Sequence, residues 1–325
     1  MGSLAKVSII CTVFNQADFV EEALDAVLNQ GYHNIELIII DNGSQDSSKE
    51  KIKNWITNKE KFECRFIDLP ESLNYCQAFN LGLKQISGDY IIDLSGDDQL
   101  CEGHIEQSIR ALQKSPNAAF SFSDAKLLDE AGKIRSYYNR EHVSDLKKFI
   151  ENGSLYQEVI KGNPISAVTV IFDSKILKEL GGYDETLIYE DFDILVRLTR
   201  HYPAVFSDHQ GVIKRIHAQA FSANQYLSRN SSMLPSTVKV CQKIKFMNQT
   251  QEEDQALLSR VLFECKHAIW SANFESADEL LKIATSIKPR PMKVLIYQFF
   301  AKLRLDFSWF YPTITSIKSS LRKYF

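Results

Sequence analysis

Residues 93–100 read Asp-Leu-Ser-Gly-Asp-Asp-Gln-Leu, directly after the apolar run Tyr90-Ile91-Ile92. Two adjacent carboxylates repel and raise each other's pKa unless a cation neutralises them. Beside a glycine that lets the backbone approach closely, such hard oxygen ligands suit Mg²⁺ or Mn²⁺ held jointly with a diphosphate. An isolated Asp-Asp is more often a solvated turn, but this one stands where an apolar strand ends. A second acidic string, Tyr189-Glu190-Asp191, precedes a helical pattern. Acids in a first helical turn are favoured by the helix dipole alone, and a carboxylate there can also serve as a general base. Polar residues end two further apolar runs, at Thr12 to Asn15 and at Asp41-Asn42-Gly43-Ser44.

The elements that must position these clusters alternate along the first hundred residues. VSIICTVF reads as a strand, DFVEEALDAVLNQ as a helix with apolar residues at 19, 20, 23, 24, 27 and 28, and IELIIID as a strand. FECRFIDL, NYCQAFNLGLKQI and DYIIDL repeat the round. Continuous rather than alternating apolar strands predict a mostly parallel, Rossmann-like α/β sheet with helices on both faces. Ligands of such sheets sit beyond the carboxyl ends of the strands, where the three polar clusters fall. The turn CTVFNQADF holds no glycine and no GxxxxGK[ST] occurs, which excludes a dinucleotide fingerprint and a P-loop. AAFSFSDAKLLDEAGKI, VTVIFDSKILKELGGYDE and a helix from YEDFDILVRLTRHY complete the sheet domain. After about residue 225, EEDQALLSRVLFECKHAIWSANFESADELLKIATSI reads as a pair of amphipathic helices. The predicted organisation is a domain over 1–225, in two halves that meet near 115, then a helical region over 226–325.

With 325 residues, 44% hydrophobic content and a formal net charge of -3, the chain has no global basic field, and nucleic acid is not expected as a partner. Its six scattered cysteines form no CxxC pair and suit a reducing compartment. MGSLAKVSIICTVF offers neither an export nor an acylation signal, and the apolar run VLIYQFF is too short to span a bilayer. A cytoplasmic location is expected, with any membrane attachment peripheral, on the inner face of the plasma membrane. From 288 to the end, eight Lys and Arg face Asp306 alone and are interleaved with Tyr, Phe and Trp. That composition suits an interfacial segment on anionic lipid, a packed helical cap or a contact between subunits.

Taken in order, VSIICTVFNQADFVEEALDAVLNQ, IELIIIDNGSQDSS, GDYIIDLSGDD, GGYDE and YEDFDILVRL resemble the family 2 glycosyltransferases, which are inverting enzymes of the GT-A fold. The resemblance covers roughly residues 5–220. It implies transfer of a sugar from a nucleoside diphosphate donor, UDP- or TDP-linked by preference, to a hydroxyl of a glycan or lipid-linked acceptor in cell-surface polysaccharide synthesis. It implies a Mn²⁺ or Mg²⁺ cofactor, held by Asp97 at the last position of the family's DxD motif, with Asp98 helping through a water. Ser95 replaces the motif's first acid, and Asn42 stands where many relatives carry a second Asp that reads the base. Asn42 could still accept from a pyrimidine N3–H and donate to O4.

By the same resemblance Thr12, Phe14, Asn15 and Asp41 contact the donor, and Asp191 matches the catalytic base with Glu190 orienting it. His217, with Arg215 before it, closes near the metal or diphosphate, and Asp124 borders the acceptor cleft. Asp184 reads as a turn residue, and Arg197 as a structural partner or a diphosphate contact. A non-catalytic sugar-nucleotide or glycan-binding protein on the same fold is the alternative, made plausible by Ser95 and Asn42, though it has no need for an inward-facing base. A sugar-nucleotide pyrophosphorylase ranks below both, because its glycine-rich amino-terminal loop is absent. An oligomer stays open.

Overall fold

The computed structural model describes residues 4–59, 62–217, 225–289 and 292–310. The chain divides into two compact units, 1–159 with 163–217, and 160–162 with 218–325.

In the first unit, β1 (Val7–Val13), α1 (Val20–Leu28), β2 (Ile35–Asp41), α2 (Ser48–Asn58), β3 (Cys64–Asp68), α3 (Tyr75–Leu83) and β4 (Tyr90–Ser95) form the predicted βα rounds. Every residue of β1 and β2 is buried, as strands covered on both faces require. These four strands pair in parallel, in the order β3-β2-β1-β4. The remaining elements follow as β5 (Gln99–Leu100), α4 (His104–Lys114), β6 (Phe120–Asp129), β7 (Ile134–Ser136), α5 (Arg140–Glu151), α6 (Leu155–Lys161), β8 (Ile171–Asp173), α7 (Ser174–Glu179), α8 (Asp191–His201) and β9 (Ala204–Ile216).

Beyond β4 the sheet continues as β8-β6-β9-β5 and becomes mixed: β8 is antiparallel to β4 and β6, while β6 and β9 run parallel. The sheet is thus the α/β arrangement of the GT-A fold, parallel in its amino-terminal half and mixed in the other. β5 pairs antiparallel with β9, matching Gln99 to Ile213 and Leu100 to Val212. That pairing brings the carboxyl end of β9 over the turn that follows β4.

Two glycines let the strand ends close up. A Cβ on Gly96 would lie 2.7 Å from the Gln16 side chain and 2.9 Å from that of Val13. Gly43 takes φ +76° with the Ser72 backbone 2.7 Å from where its Cβ would be, so only glycine fits that turn.

In the second unit, α9 (Met233–Met247), α10 (Gln251–Trp270), α11 (Phe274–Ile287) and α12 (Met292–Leu303) are helical. α10 opens with a capping box in which Thr250 and Glu253 satisfy each other's backbone N–H. No helix among the described residues is long and apolar enough to cross a membrane. Of the basic tail, residues 290, 291 and 311–325 lie outside the described residues.

Candidate active site

The carboxyl ends of β1, β2 and β4 converge as the alternation predicts. The Gly96 N–H donates to the Thr12 carbonyl at 3.1 Å and the Asn42 N–H to the Val13 carbonyl at 2.8 Å, tying the three ends together. Thr12 is buried with its Oγ1 unpaired among the described residues, while Phe14 is 46% exposed. Asn15 takes the left-handed φ of 53°. Its N–H donates to Ser44 Oγ at 3.0 Å and its Oδ1 accepts from the Gln45 N–H at 2.7 Å. Asp41 is fully buried: Oδ1 accepts from the Ser44 N–H at 3.0 Å, and Oδ2 has no hydrogen-bond partner among the described residues. A buried acceptor of that kind is costly unless a donor reaches it. Asn42 is engaged with Leu73, Nδ2 donating to its carbonyl and Oδ1 accepting from its N–H, both at 2.9 Å. Any base contact by Asn42 runs through the remaining hydrogen and lone pair of its amide.

At the end of β4, Ser95 Oγ donates to Asp97 Oδ1 at 2.5 Å and accepts from Gln16 Nε2 at 3.3 Å. The other oxygen of Asp97 meets His217 Nε2 at 3.0 Å. His217 Nδ1 is buried without a partner among the described residues. Asp98 plays a different part, its Oδ1 accepting from the Arg215 N–H at 3.0 Å. Burial, and then the charge of Asp97, push the Asp98 carboxyl up to about 7, with Lys214 and Arg215 pulling it back. The Arg215 guanidinium donates to the Asp97 carbonyl at 2.6 Å, lies 4.9 Å over the Phe19 ring and pairs with Glu22. Phe19 in turn packs on His217 with ring centroids 5.6 Å apart. The end of β9 is thereby latched across the Ser95–Asp98 turn onto the start of α1.

Glu190 and Asp191 stand at the amino end of α8. Burial, then the charge of Asp191, then that of Asp93, push Glu190 well above the usual carboxylate range. Burial and the neighbouring carboxylates thus disfavour the charged form of Glu190. Asp191 Oδ1 accepts from the Phe192 N–H at 2.6 Å. The segment before α8 is fixed by contacts that sequence reading missed. Asp93 accepts from the phenols of Tyr75 at 2.7 Å and Tyr183 at 2.8 Å. Tyr183 also stacks on Phe79 at 4.2 Å, and its backbone exchanges hydrogen bonds with the Asn80 amide at 2.8 and 3.0 Å. Arg197 pairs with Asp193 at 2.7 Å and donates to the carbonyls of Leu180 and Gly182, a structural clamp on the same loop. Asp184 Oδ1 accepts from the Thr186 N–H at 2.8 Å, within the turn. Asp124 lies at the bulge between β6 and β9, its Oδ1 accepting from the N–H groups of Ala125 and Tyr138. Nearby, burial and then the charge of Asp191 raise the Tyr137 phenol, so Tyr137 lines the side on which Asp124 was expected.

Among the described residues no group of three or more His, Cys, Asp or Glu side chains is placed to hold a metal ion. The Asp97 carboxylate and the His217 imidazole, which do meet, are the residues that would hold a divalent cation, with diphosphate oxygens and water completing its shell. Mn²⁺, which accepts both carboxylate and imidazole, suits the pair better than Mg²⁺.

Comparison with known proteins bears on this site. Residues 8–162 match the family model described as Glycosyl transferase family 2. An uncharacterized glycosyltransferase of Rickettsia typhi is 33% identical over 217 residues, 65% of this chain and 64% of that protein. The poly-beta-1,6-N-acetyl-D-glucosamine synthase of Staphylococcus epidermidis is 26% identical over 192 residues, 59% of this chain and 45% of that protein. The chain spans 34% to 64% of the length of the first four curated relatives it matches. Among solved structures, S. aureus TarS in complex with UDP-GlcNAc superposes with a TM-score of 0.65 at 15% identity, over 98% of this chain and 92% of that one. A mannosyltransferase of Pyrobaculum calidifontis in complex with GDP-Man and Mn²⁺ gives a TM-score of 0.58 at 15% identity, over 97% and 84%. At these identities the structural likeness speaks for the fold.

Proposed function

We propose that this chain, whose residues 8–162 match the Glycosyl transferase family 2 model, moves a sugar from a nucleoside diphosphate donor to an acceptor hydroxyl with inversion at the anomeric carbon. The observations that support the proposal are the Asp97–His217 contact in the turn after β4 and a buried acid pair at the start of α8, whose Glu190 is pushed up by burial, by Asp191 and by Asp93 of β4. A binding module has no use for an acid pair of that kind.

Base and ribose of the donor lie against Thr12, Phe14, Asn15 and Asp41 at the ends of β1 and β2. The buried, unpaired Asp41 Oδ2 is an acceptor for an imide N–H, which favours a uracil or thymine base over the alternatives. Asp97 and His217 would hold Mn²⁺ or Mg²⁺, which supplies Lewis-acid stabilisation of the departing diphosphate. Ser95 orients Asp97 by donating to its other oxygen. Asp191 takes the proton of the acceptor hydroxyl as that oxygen attacks the anomeric carbon on the face away from the leaving group. Burial disfavours a second negative charge on Glu190 beside Asp191, and the Asp93–Tyr183 contact holds the segment that carries both acids. Tyr137 and Asp124 border the acceptor. A glycan of a cell-surface polysaccharide is the acceptor class that the poly-N-acetylglucosamine synthase relative suggests.

The test is release of nucleoside diphosphate from a panel of UDP-, TDP- and GDP-sugars, with and without Mn²⁺, read with oligosaccharide acceptors present. Turnover of one donor that needs both metal and Asp191 supports the proposal. Tight nucleotide binding with no turnover across the panel would move the reading to the non-catalytic sugar-nucleotide-binding alternative.

A further inference from the structure

The described part of the helical unit ends in a helix whose sequence is apolar on the wrong side. α12 packs on α10 and α11 through Val294 and Ala301, seven residues apart and so on one face. Met292, Ile296, Phe299 and Leu303 follow at spacings of four, three and four, and make a second apolar stripe on the opposite face. All four are exposed, Met292 by 73% and Phe299 by 61%. A solvent-facing helix stripe normally carries charge, and a contiguous apolar one marks an interaction surface.

Two features of the stripe select its occupant. Lys293 and Lys302 lie on its two borders, and neither makes an ion pair among the described residues. By contrast Arg304, just past the helix, is neutralised by Glu275 and Asp278 at 2.9 and 2.8 Å. The two lysines flanking the stripe have no such acid beside them among the described residues. Long lysine stems beside an apolar face let the ammonium groups reach outward while the face is buried. Trp309, 69% exposed, follows in the same segment, and the sequence continues with Lys318, Arg322 and Lys323 against no acid. A protein partner would need a much broader surface than one helix about 18 Å long presents. An anionic bilayer needs only an apolar stripe bordered by cations.

We propose that the outer face of α12 is a docking surface for an anionic lipid bilayer, with Met292, Ile296, Phe299 and Leu303 entering the interface and Lys293 and Lys302 meeting the headgroups. The inference goes beyond the sugar-transfer reading and does not rest on it.

The test is co-sedimentation of the full chain with phosphatidylcholine vesicles containing or lacking phosphatidylglycerol, at 0.1 and 0.5 M salt. The expected result is binding to the anionic vesicles alone, weakened by salt and lost in the double variant Phe299→Asp, Leu303→Asp. The charge-reversed variant Lys293→Glu, Lys302→Glu should bind at least about tenfold more weakly. Because all four positions are exposed, thermal unfolding of these variants should stay close to that of the parent, which separates lost docking from lost folding. Failure of the parent chain to bind, or full binding by the Phe299→Asp, Leu303→Asp variant, would overturn the proposal. So would light scattering that finds a dimer in the parent and a monomer in that variant, because a second copy would then cover the face.

Discussion

The imidazole of His217, at the end of β9, meets the carboxylate of Asp97, in the turn after β4, at 3.0 Å across 120 residues of sequence. Ser95 holds the other oxygen of that carboxylate, so the acid is oriented from both sides. If the pair is the cation site, His217→Ala should weaken Mn²⁺-dependent nucleotide binding by tenfold or more, within the range about 10–100-fold seen when the residues supporting a metal are removed. Binding measured without metal should change far less. A loss of equal size with and without Mn²⁺ would mean that His217 touches only the nucleotide.

Asp191 and Glu190 are predicted to separate cleanly. Asp191→Asn should retain donor binding while turnover falls by about 10²–10⁴, the usual worth of a general base. Burial already disfavours the charged form of Glu190, so Glu190→Gln should stay within about tenfold of the parent rate. The converse ranking would exchange the two roles.

Tyr183→Phe removes one of the two phenols that Asp93 accepts from. Leaving a shielded carboxylate short of a donor costs about 1–3 kcal/mol, visible as a lower unfolding midpoint. The sign of the pH dependence follows from Asp93 itself. Burial raises it to about 6, against the opposing phenols. A group raised in the fold stabilises fully below its unfolded pKa of 3.8 and loses that contribution as pH climbs through 6. Without Tyr183 OH the charged form is disfavoured further, so the variant should be closer to the parent at pH 5 than at pH 8. Equal destabilisation at both would refute the assignment.

Acid should destabilise the fold through two other groups. His104 is fully buried, with Nδ1 2.9 Å from His209 Nε2, and burial followed by the His209 charge lowers it to about 3. Its contribution is present above 6.5 and is lost as pH falls toward 3, because the unfolded chain takes the proton first. Glu36 adds a later loss. Burial pushes it up, but hydrogen bonds from Ser8, Ser87 and Lys6 outweigh this and hold it at about 2, so its share disappears between 4.5 and 2. The raised carboxyls of Asp93 and Asp98 act in the opposite sense, so the His104 share is read as a difference: from pH 7 to pH 4 the unfolding midpoint of His104→Gln should rise relative to that of the parent.

The donor edge was legible in the sequence because fully buried parallel strands read as unbroken apolar runs, so their polar residues can stand only at the ends. Thr12, Asp41 and Asp97 are placed at strand ends in that way, while the roles proposed for them come from the family resemblance. The second half of the sheet was not legible in the same detail: β5 and β8 are two and three residues long, too short to show a period. The Tyr183–Asp93 hydrogen bond spans 90 positions, and neither tyrosine carries a local signal that it will reach a carboxylate. The amphipathic periods of α10 and α11 were plain, whereas α12 is apolar on two faces and gave composition without a direction. Asn42 had been matched to the base by type alone; its pairing with the Leu73 backbone depends on a loop 31 residues away, which no pattern encodes.

The central claim, a nucleotide-sugar site built around Asp97, is tested most directly by calorimetric titration of UDP, TDP, GDP and CMP into the parent and Asp97→Asn proteins, with and without Mn²⁺. The account predicts that one nucleoside diphosphate, uridine or thymidine by preference, binds at least about tenfold more tightly with Mn²⁺, and that Asp97→Asn abolishes the gain. Affinity that ignores Mn²⁺, or a gain of the same size in Asp97→Asn, would contradict it.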